Sequence, residues 1–258
     1  MKSRILPALF VLALAGTFAL PAPAQSPAPA AAPALDPDAV AALKRMGEYL
    51  RSLKTFQIQA VTTTEDVLDD GQKLQYELAT DLLVQRPNHL RIKVTSDREE
   101  RRFFFDGSAF TLWAPRVNFY ATVPAPPTIG ELVNDLANKY DIEVPLVDLF
   151  RWGTPDSAES SLTGALNAGL AVVGGASCTH YVFRQPGLDW QIWTQNGDSP
   201  LPRKLVITTL TDDARPQLVS SYTWNLAPAF NDAAFTFDPP PGSMKIDLKE
   251  IKAAQAGK

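Results

Sequence analysis

The sequence is poor in the residues that most often carry chemistry or covalent cross-links. Of its 258 residues, one is a cysteine, Cys178, and two are histidines, His89 and His180. A lone cysteine excludes an intramolecular disulfide, and these three residues are too far apart in sequence to form a metal-binding motif. Stability must therefore come from an apolar core, and 45% hydrophobic residues are enough to build one.

No second long apolar run follows the one at the N-terminus. Residues 1–24 begin with Lys2 and Arg4, continue with an apolar stretch and end in small residues, which is the pattern of a cleaved secretory signal peptide. An uncleaved membrane anchor is the alternative, but Pro7 interrupts the stretch, which is shorter than the ~20 residues that a span prefers. We therefore predict export to the periplasm, with no membrane span after cleavage.

The remaining chain divides by composition. Residues 25–34 are rich in proline and alanine, and they predict a disordered tether with nothing to bury. Residues 35–250 have the length and hydrophobic content of a single domain. Residues 251–258 are expected to form a flexible tail.

Basic residues are fewer than acidic residues, 24 against 28. This balance argues against a nucleic acid partner. The densest basic patch, Arg98, Arg101 and Arg102, is interrupted by Glu99 and Glu100, a mixture that is typical of a solvated strand face. The charge pattern therefore points to no polyanionic partner.

The sequence also lacks a recognisable catalytic constellation. Cys178 and His180 have the same parity on a predicted strand, so a thiol–imidazole pair is the sharpest catalytic hypothesis. A free cysteine is more often simply buried, and that structural explanation is favoured here. We predict a protein that is not an enzyme and that uses no cofactor or metal.

What the sequence does contain is a helix followed by many strands. Asp36 and Pro37 predict the start of an amphipathic helix, and Thr128 with Glu131 predicts a capping box at the start of another. Elsewhere apolar residues alternate with polar residues at a period of two, and turns rich in Gly, Pro and Asp separate these runs. The pattern predicts a long antiparallel meander wrapped around a few helices.

The stretch FFFDGSAFTLW, residues 103–113, predicts a hairpin with Asp106 and Gly107 as its two-residue turn. This turn sets Phe103 opposite Phe110. One face of the hairpin then collects four apolar side chains: Phe103, Phe105, Phe110 and Leu112. The other face is expected to be mostly solvated, although it carries two aromatic side chains, Phe104 and Trp113.

The segment LLVQRPNHLRIKVTSDREERRFFFDGSAFTLWAPRVNFYATVPAP, residues 82–126, resembles the lipoprotein carriers LolA and LolB. The shared features are an Arg-Pro-Asn turn at 86–88, the Asp-Gly hairpin at 106–107 and a Leu-Trp pair at 112–113. The stretches VPLVDLFRWG and WNLAPAFNDAAFTFDPPPGSMKI are similar to a family of predicted periplasmic proteins of unknown function. This resemblance covers nearly all of residues 35–246.

The resemblance implies an α+β fold in which a strongly curved antiparallel sheet forms an incomplete barrel, covered by a few helices. In the carriers, an apolar cavity in this barrel takes acyl chains. We therefore expect a non-catalytic protein that binds a lipid, an acyl chain or a lipoprotein. The candidate cavity wall comprises Phe103, Phe105, Phe110, Leu112, Phe119, Trp190 and Ile192.

Two alternatives remain open at this point. The same side chains are equally well explained as the ordinary core of a sheet beneath its helices. The same fold is also compatible with a protein-interaction or envelope-sensing module that has an envelope protein partner and no lipid cargo.

Overall fold

A computed structural model describes residues 35–154 and 158–251. The strands are β1 (Thr55–Val67), β2 (Lys73–Gln85), β3 (His89–Thr95), β4 (Glu100–Phe105), β5 (Ala109–Ala114), β6 (Phe119–Pro124), β7 (Gly164–Val173), β8 (Ala176–Gln185), β9 (Leu188–Gln195), β10 (Pro202–Thr209), β11 (Gln217–Asn225) and β12 (Met244–Lys245). The α-helices are α1 (Pro37–Ser52), α2 (Ile129–Tyr140) and α3 (Asp148–Arg151), and two 3-10 helices span Ala158–Ser161 and Asp232–Phe235. The predicted signal peptide and tether lie outside the described residues.

All twelve strands belong to one sheet, in the order β12-β6-β5-β4-β3-β2-β1-β11-β10-β9-β8-β7. Two antiparallel meanders, β1 to β6 and β7 to β11, meet where β1 pairs with β11. Only the short β12 runs parallel to its neighbour, β6, within the described sheet. Because β12 and β7 end the order without pairing to each other, the sheet is not closed. The predicted fold class, an incomplete antiparallel barrel with a few helices, is confirmed.

The start of α1 is held by Asp36, as the sequence predicts. The Asp36 carboxylate accepts the backbone N–H of Asp38 at 2.9 Å, and Pro37 occupies the first turn. The same carboxylate accepts the N–H of Asn167 on β7 at 3.0 Å, and these hydrogen bonds lower the pKa of Asp36. One residue therefore caps the helix and ties it to the end of the sheet.

The predicted cap of α2 is confirmed, with one difference in geometry. The Thr128 hydroxyl oxygen accepts the backbone N–H of Glu131 at 3.2 Å. The Glu131 carboxylate then accepts the Thr128 hydroxyl at 2.8 Å, where a capping box would direct it to the backbone N–H of Thr128.

The hairpin at residues 103–113 forms, but its turn lies one residue further along the chain than predicted. Phe105 pairs with Phe110 and Phe103 pairs with Leu112, so Gly107 and Ser108 are the central residues. The Asp106 side chain fixes this turn by accepting the N–H groups of Ser108 and Ala109, and Gly107 adopts a φ of 93°. The pairing shifts by two residues, which preserves the parity of every side chain.

All three α-helices contribute to the core on one side of the sheet, which we call the inner face. The other side is the outer face. The helix residues packed in the core include Ala39, Leu43, Met46 and Leu50 of α1, Ile129, Leu132, Val133 and Leu136 of α2, and Leu149 and Phe150 of α3. Their partners on the sheet include Phe56, Ile58, Leu82, Val84, Leu90, Ile92, Phe103 and Phe105. Burial of these apolar side chains is the main source of stability.

The chain after β11 crosses part of the outer face, and we call residues 226–243 the crossing segment. Its Phe237 contacts three aromatic rings of the sheet, with centroid distances of 5.1 to 5.6 Å to Tyr120, Phe104 and Trp113. Its Phe235 is fully buried and lies 5.2 Å from the His89 ring. The prediction of a mostly solvated back at Phe104 and Trp113 is therefore wrong, because the crossing segment covers them.

Candidate functional site

The seven predicted cavity-wall residues all lie on the inner face, as their strand parity requires. Phe103, Phe105, Phe110 and Ile192 are at most 1% exposed, and Trp190 is 6% exposed. Leu112 and Phe119 are half-buried, and Phe119 pairs with Met244 of β12. The sheet therefore brings these seven side chains to one side.

Helix side chains already occupy the space against most of these residues. Phe103 and Phe110 lie 6.1 Å apart between ring centroids, and Trp190 stacks on Phe183 at 4.3 Å. All belong to the same packed cluster as the apolar residues of α1 and α2. Ligand binding by this wall stays a prediction, and it would require the helices to move away from the sheet.

A cleft of about 1070 Å³ opens on the outer face. Five adjacent strands, β11, β1, β2, β3 and β4, form its floor, so it is about 19 Å across at the usual strand spacing. The tip of the β7–β8 hairpin, with Val173 and Gly174, contributes to its lining, as do Ala233 and Ala234 of the second 3-10 helix. Its volume is close to the upper limit for pockets that hold small organic ligands.

Cross-strand register gathers charged side chains on this floor. Gln59, Asp81, Lys93 and Arg102 lie directly opposite one another on β1 to β4. Asp81 accepts a hydrogen bond from the Gln57 amide at 2.9 Å and lies 3.7 Å from the Arg91 guanidinium. Four residues far apart in sequence therefore form one polar row.

Glu100 pairs with two of the cations in this row. Its carboxylate lies 2.7 Å from the Arg102 guanidinium and 3.9 Å from the Lys93 ammonium. The Arg102 guanidinium also lies 4.8 Å from the centroid of the Trp113 ring. Arg102 is thus held at the boundary between the cleft and the rings under the crossing segment.

The cleft also has an apolar part. Val61 is 48% exposed on the cleft floor, opposite Ala79 on the next strand. Phe104 and Val173 line the same cleft and are half-buried. Covering an exposed apolar side chain removes its surface from water, which is favourable. This part of the cleft therefore favours binding of an apolar group of a ligand.

Arg203 lines the cleft from a β-bulge between Pro202 and Lys204 at the start of β10. Its guanidinium donates two N–H groups to the side-chain carbonyl oxygen of Gln195. No carboxylate lies within ion-pair distance of Arg203 among residues 35–154 and 158–251. Arg203 is therefore a fixed cation whose charge is not neutralised by a neighbour.

Sequence reasoning missed this cleft. The period-two alternation of β1 to β4 does place Gln59, Asp81, Lys93 and Arg102 on one face, and that was the available signal. Such a face is ordinarily solvated, however. The features that make it a cleft are the hairpin tip and the crossing segment, which lie far from β1 to β4 in sequence.

Cys178 and His180 do not pair with each other. The Cys178 thiol is fully buried and donates to the backbone oxygen of Ala176 at 3.5 Å, and burial raises its pKa. His180 stacks on Trp193 at 4.0 Å and shares a 3.0 Å hydrogen bond with the Gln191 amide oxygen. A raised thiol pKa is the opposite of what a cysteine nucleophile needs.

The described part of the chain contains no cluster of three or more His, Cys, Asp or Glu side chains suited to a metal ion. In the same part, no helix is both long and apolar enough to cross a bilayer.

The open sheet, with helices on its inner face and a cleft on its outer face, defines the class: this is an α+β protein with an incomplete antiparallel barrel. The family described as "Predicted periplasmic protein (DUF2092)" matches residues 39–249. The chain belongs to this family, and the predicted resemblance and periplasmic location are confirmed. No curated protein matches the sequence.

Several solved structures are similar over most of the chain at low identity. Lipoprotein LppX of Mycobacterium tuberculosis is 13% identical with a TM-score of 0.40, covering 76% of this chain and 100% of LppX. LprF of Mycobacterium bovis is 12% identical with a TM-score of 0.46, covering 76% and 96%. A LolA superfamily protein of Nitrosomonas europaea is 10% identical with a TM-score of 0.35, covering 77% and 97%.

Proposed function

We propose that this periplasmic protein binds a hydrophobic ligand without catalysis, and that the ligand is a lipid, an acyl chain or the acylated end of a lipoprotein. One observation carries the proposal: the outer face holds a cleft of about 1070 Å³ whose floor includes exposed apolar side chains such as Val61. We assign the acyl portion of the ligand to this cleft.

The energetics favour the outer cleft over the inner face. Each buried methylene of an acyl chain contributes about 0.8 kcal/mol, and a chain laid over Val61, Ala79 and Val173 buries its own surface and theirs. A ligand on the inner face would first have to displace helix side chains that belong to the same buried cluster as Phe103 and Phe105. Binding in the cleft needs no such exchange, so its cost is mainly the ordering of the ligand.

A direct test uses delipidated protein and a fluorescent fatty-acid probe. We expect saturable binding that is lost in Val61→Asp, because an aspartate in the apolar part of the cleft would lose water when the chain binds. Val117→Asp is the matched control, since Val117 is 59% exposed in the turn between β5 and β6 and does not line the cleft. Absence of probe binding by the delipidated wild-type protein would contradict the proposal.

A second candidate function, binding of an envelope protein partner, has one observation in its favour. The strand β7 ends the sheet, and Leu170 and Val172 on it are 85% and 75% exposed. Among the described residues, Leu35 bridges this strand at Ala165 and the Asp36 carboxylate accepts the N–H of Asn167, both in the first half of the strand. An extended segment of a partner would add a strand to the open part of this edge.

Cross-linking in intact cells tests this second candidate. A photoreactive residue at position 170 should capture one defined envelope protein, and Val172→Lys should abolish that adduct while leaving fatty-acid binding unchanged. Capture of a second copy of this chain, or of nothing, would reject a heterologous partner at β7.

A further inference from the structure

We infer that the ligand of the outer cleft carries an anionic head, a carboxylate or a phosphate, and that Arg203 binds this head. Lys93 and Arg102, on the far side of the cleft floor, add to the positive field that attracts it. This inference rests on the proposed function, because it specifies the polar end of the same ligand.

The charge of the cleft favours an anionic ligand. Four cationic side chains line it, Arg91, Lys93, Arg102 and Arg203. Two carboxylates lie within ion-pair distance of these cations, Asp81 beside Arg91 and Glu100 shared by Lys93 and Arg102. The cleft therefore keeps a surplus of two positive charges, although the whole chain has a net charge of −4. A basic cleft in an acidic protein attracts an anion selectively to that place.

Arg203 is a charged and positioned side chain on the cleft wall. Gln195 neutralises none of its charge, because the contact runs from guanidinium N–H groups to a neutral amide oxygen. That contact does hold the planar guanidinium in place at the cleft wall, so little side-chain freedom remains to be lost on binding. A guanidinium fixed in this way still has N–H groups free to donate, and its fork geometry suits the two oxygens of a carboxylate or phosphate.

The apolar part of the cleft floor lies close to Arg203. Val61 pairs with Ser221 of β11, and Ser221 pairs with Lys204 of β10, the residue after Arg203. The cleft therefore offers a cation for the head of an amphiphile and, two strands away, an apolar surface for its chain. A free inorganic anion would use the cationic groups alone and leave Val61 exposed, so an amphiphile fits the cleft better than an anion without a chain.

The experiment is a calorimetric titration of delipidated protein with single-chain amphiphiles that share a dodecyl chain, below their micelle concentrations. The probes are dodecanoate, dodecyl phosphate, neutral dodecyl maltoside and inorganic phosphate. We expect the two anionic amphiphiles to bind at least tenfold more tightly than the maltoside, and inorganic phosphate to bind far more weakly than dodecyl phosphate. Arg203→Gln should weaken anionic binding by about tenfold and Lys93→Gln by a smaller factor, while both leave maltoside binding nearly unchanged.

Two further variants serve as controls. Arg203→Lys keeps the charge but not the guanidinium fork, so it should bind the anionic amphiphiles more weakly than the wild type and more tightly than Arg203→Gln, which separates loss of charge from disturbance of the bulge. Lys44→Gln removes the same charge from the exposed side of α1 and should change neither affinity.

The outcomes separate this inference from the function on which it rests. Equal affinity for dodecanoate and dodecyl maltoside would overturn the inference that the ligand has an anionic head, while leaving the proposal of hydrophobic binding intact. Failure of every dodecyl probe to bind would overturn the proposed function itself. If inorganic phosphate bound as tightly as dodecyl phosphate, the dodecyl chain would contribute nothing to affinity. That result would contradict the inference that the ligand is an amphiphile.

Discussion

The inner and outer faces of the sheet are built from the same strands with opposite parity, yet they differ in what covers them. On the inner face, helices α1, α2 and α3 cover rows such as Phe56, Val84, Leu90 and Phe105. On the outer face, the crossing segment covers the aromatic rings near β5 and β6 and leaves the charged floor of β1 to β4 open. Covered apolar side chains therefore mark the parts that stabilise the fold, while the open mixture of basic and apolar residues marks the candidate site.

The largest expected difference between the inner and outer faces is in how much their side chains contribute to stability. Phe105→Ala removes a fully buried ring from the inner face, and we expect the free energy of unfolding to fall by about 3–5 kcal/mol. Val61→Ala, on the outer cleft floor, should change it by no more than about 0.5 kcal/mol. Urea unfolding of both variants measures this. A loss below about 1 kcal/mol for Phe105→Ala would mean that the inner face is not a packed core.

The next largest effect is expected at the turn between β4 and β5, which sets the pairing of these two strands. Gly107 has a φ of 93°, and a Cβ at this position would lie 2.7 Å from the side-chain nitrogen of Asn88. We expect Gly107→Ala to cost about 1–3 kcal/mol, from backbone strain and this close contact. Gly71→Ala is the matched control because its φ is 83° with no heavy atom near the added Cβ. Equal losses for the two variants in thermal unfolding would show that Asn88 simply moves aside.

A smaller effect is expected from the covered part of the outer face. Phe237→Ala removes the half-buried ring that joins Phe104, Trp113 and Tyr120, so the free energy of unfolding should fall by about 1–2 kcal/mol. The crossing segment should also become more sensitive to proteases. Mass spectrometry of limited digests would locate the new cuts within residues 226–243. An unchanged digestion pattern would contradict the role given to Phe237.

The sequence was sufficient to predict those features that depend on neighbouring residues. The caps at Asp36 and Thr128 follow from short-range hydrogen bonds, and the parity of Phe103, Phe105 and Phe110 follows from strand periodicity. The error in the hairpin turn did not change that parity, because the pairing shifted by two residues.

The outer cleft could not be predicted in this way. Its floor needs β1 to pair with both β2 and β11, its lining includes the bulge at Arg203, and part of the outer face is covered by the crossing segment. Each of these depends on contacts between residues far apart in the chain, for which the local pattern has no signal. Arg203 in particular sits in a run of ordinary strand residues, and only the bulge gives it a place in the cleft.

The smallest predicted effect is a pH dependence on the helix-covered side. Burial raises the pKa of Asp148 on α3 above its ordinary value of 3.8, while Arg151 opposes this and Glu143 adds to it. The folded state therefore binds this proton more tightly than the unfolded state, so stability falls as the pH rises from 3.8 through the raised pKa. Asp148→Asn should remove this fall and make the protein slightly more stable at neutral pH. A variant that is less stable at pH 7 would show that the carboxylate is stabilising there.

The measurement that tests the account most directly is photo-cross-linking of delipidated protein with a fatty acid that carries a diazirine on its chain, followed by residue-level mass spectrometry. The account predicts adducts at outer-cleft positions, chiefly Val61 and Val173. Adducts at Phe110, Trp190 or Ile192 would instead mean that the helices open and that the ligand enters the inner face, which would contradict the assignment of binding to the outer cleft.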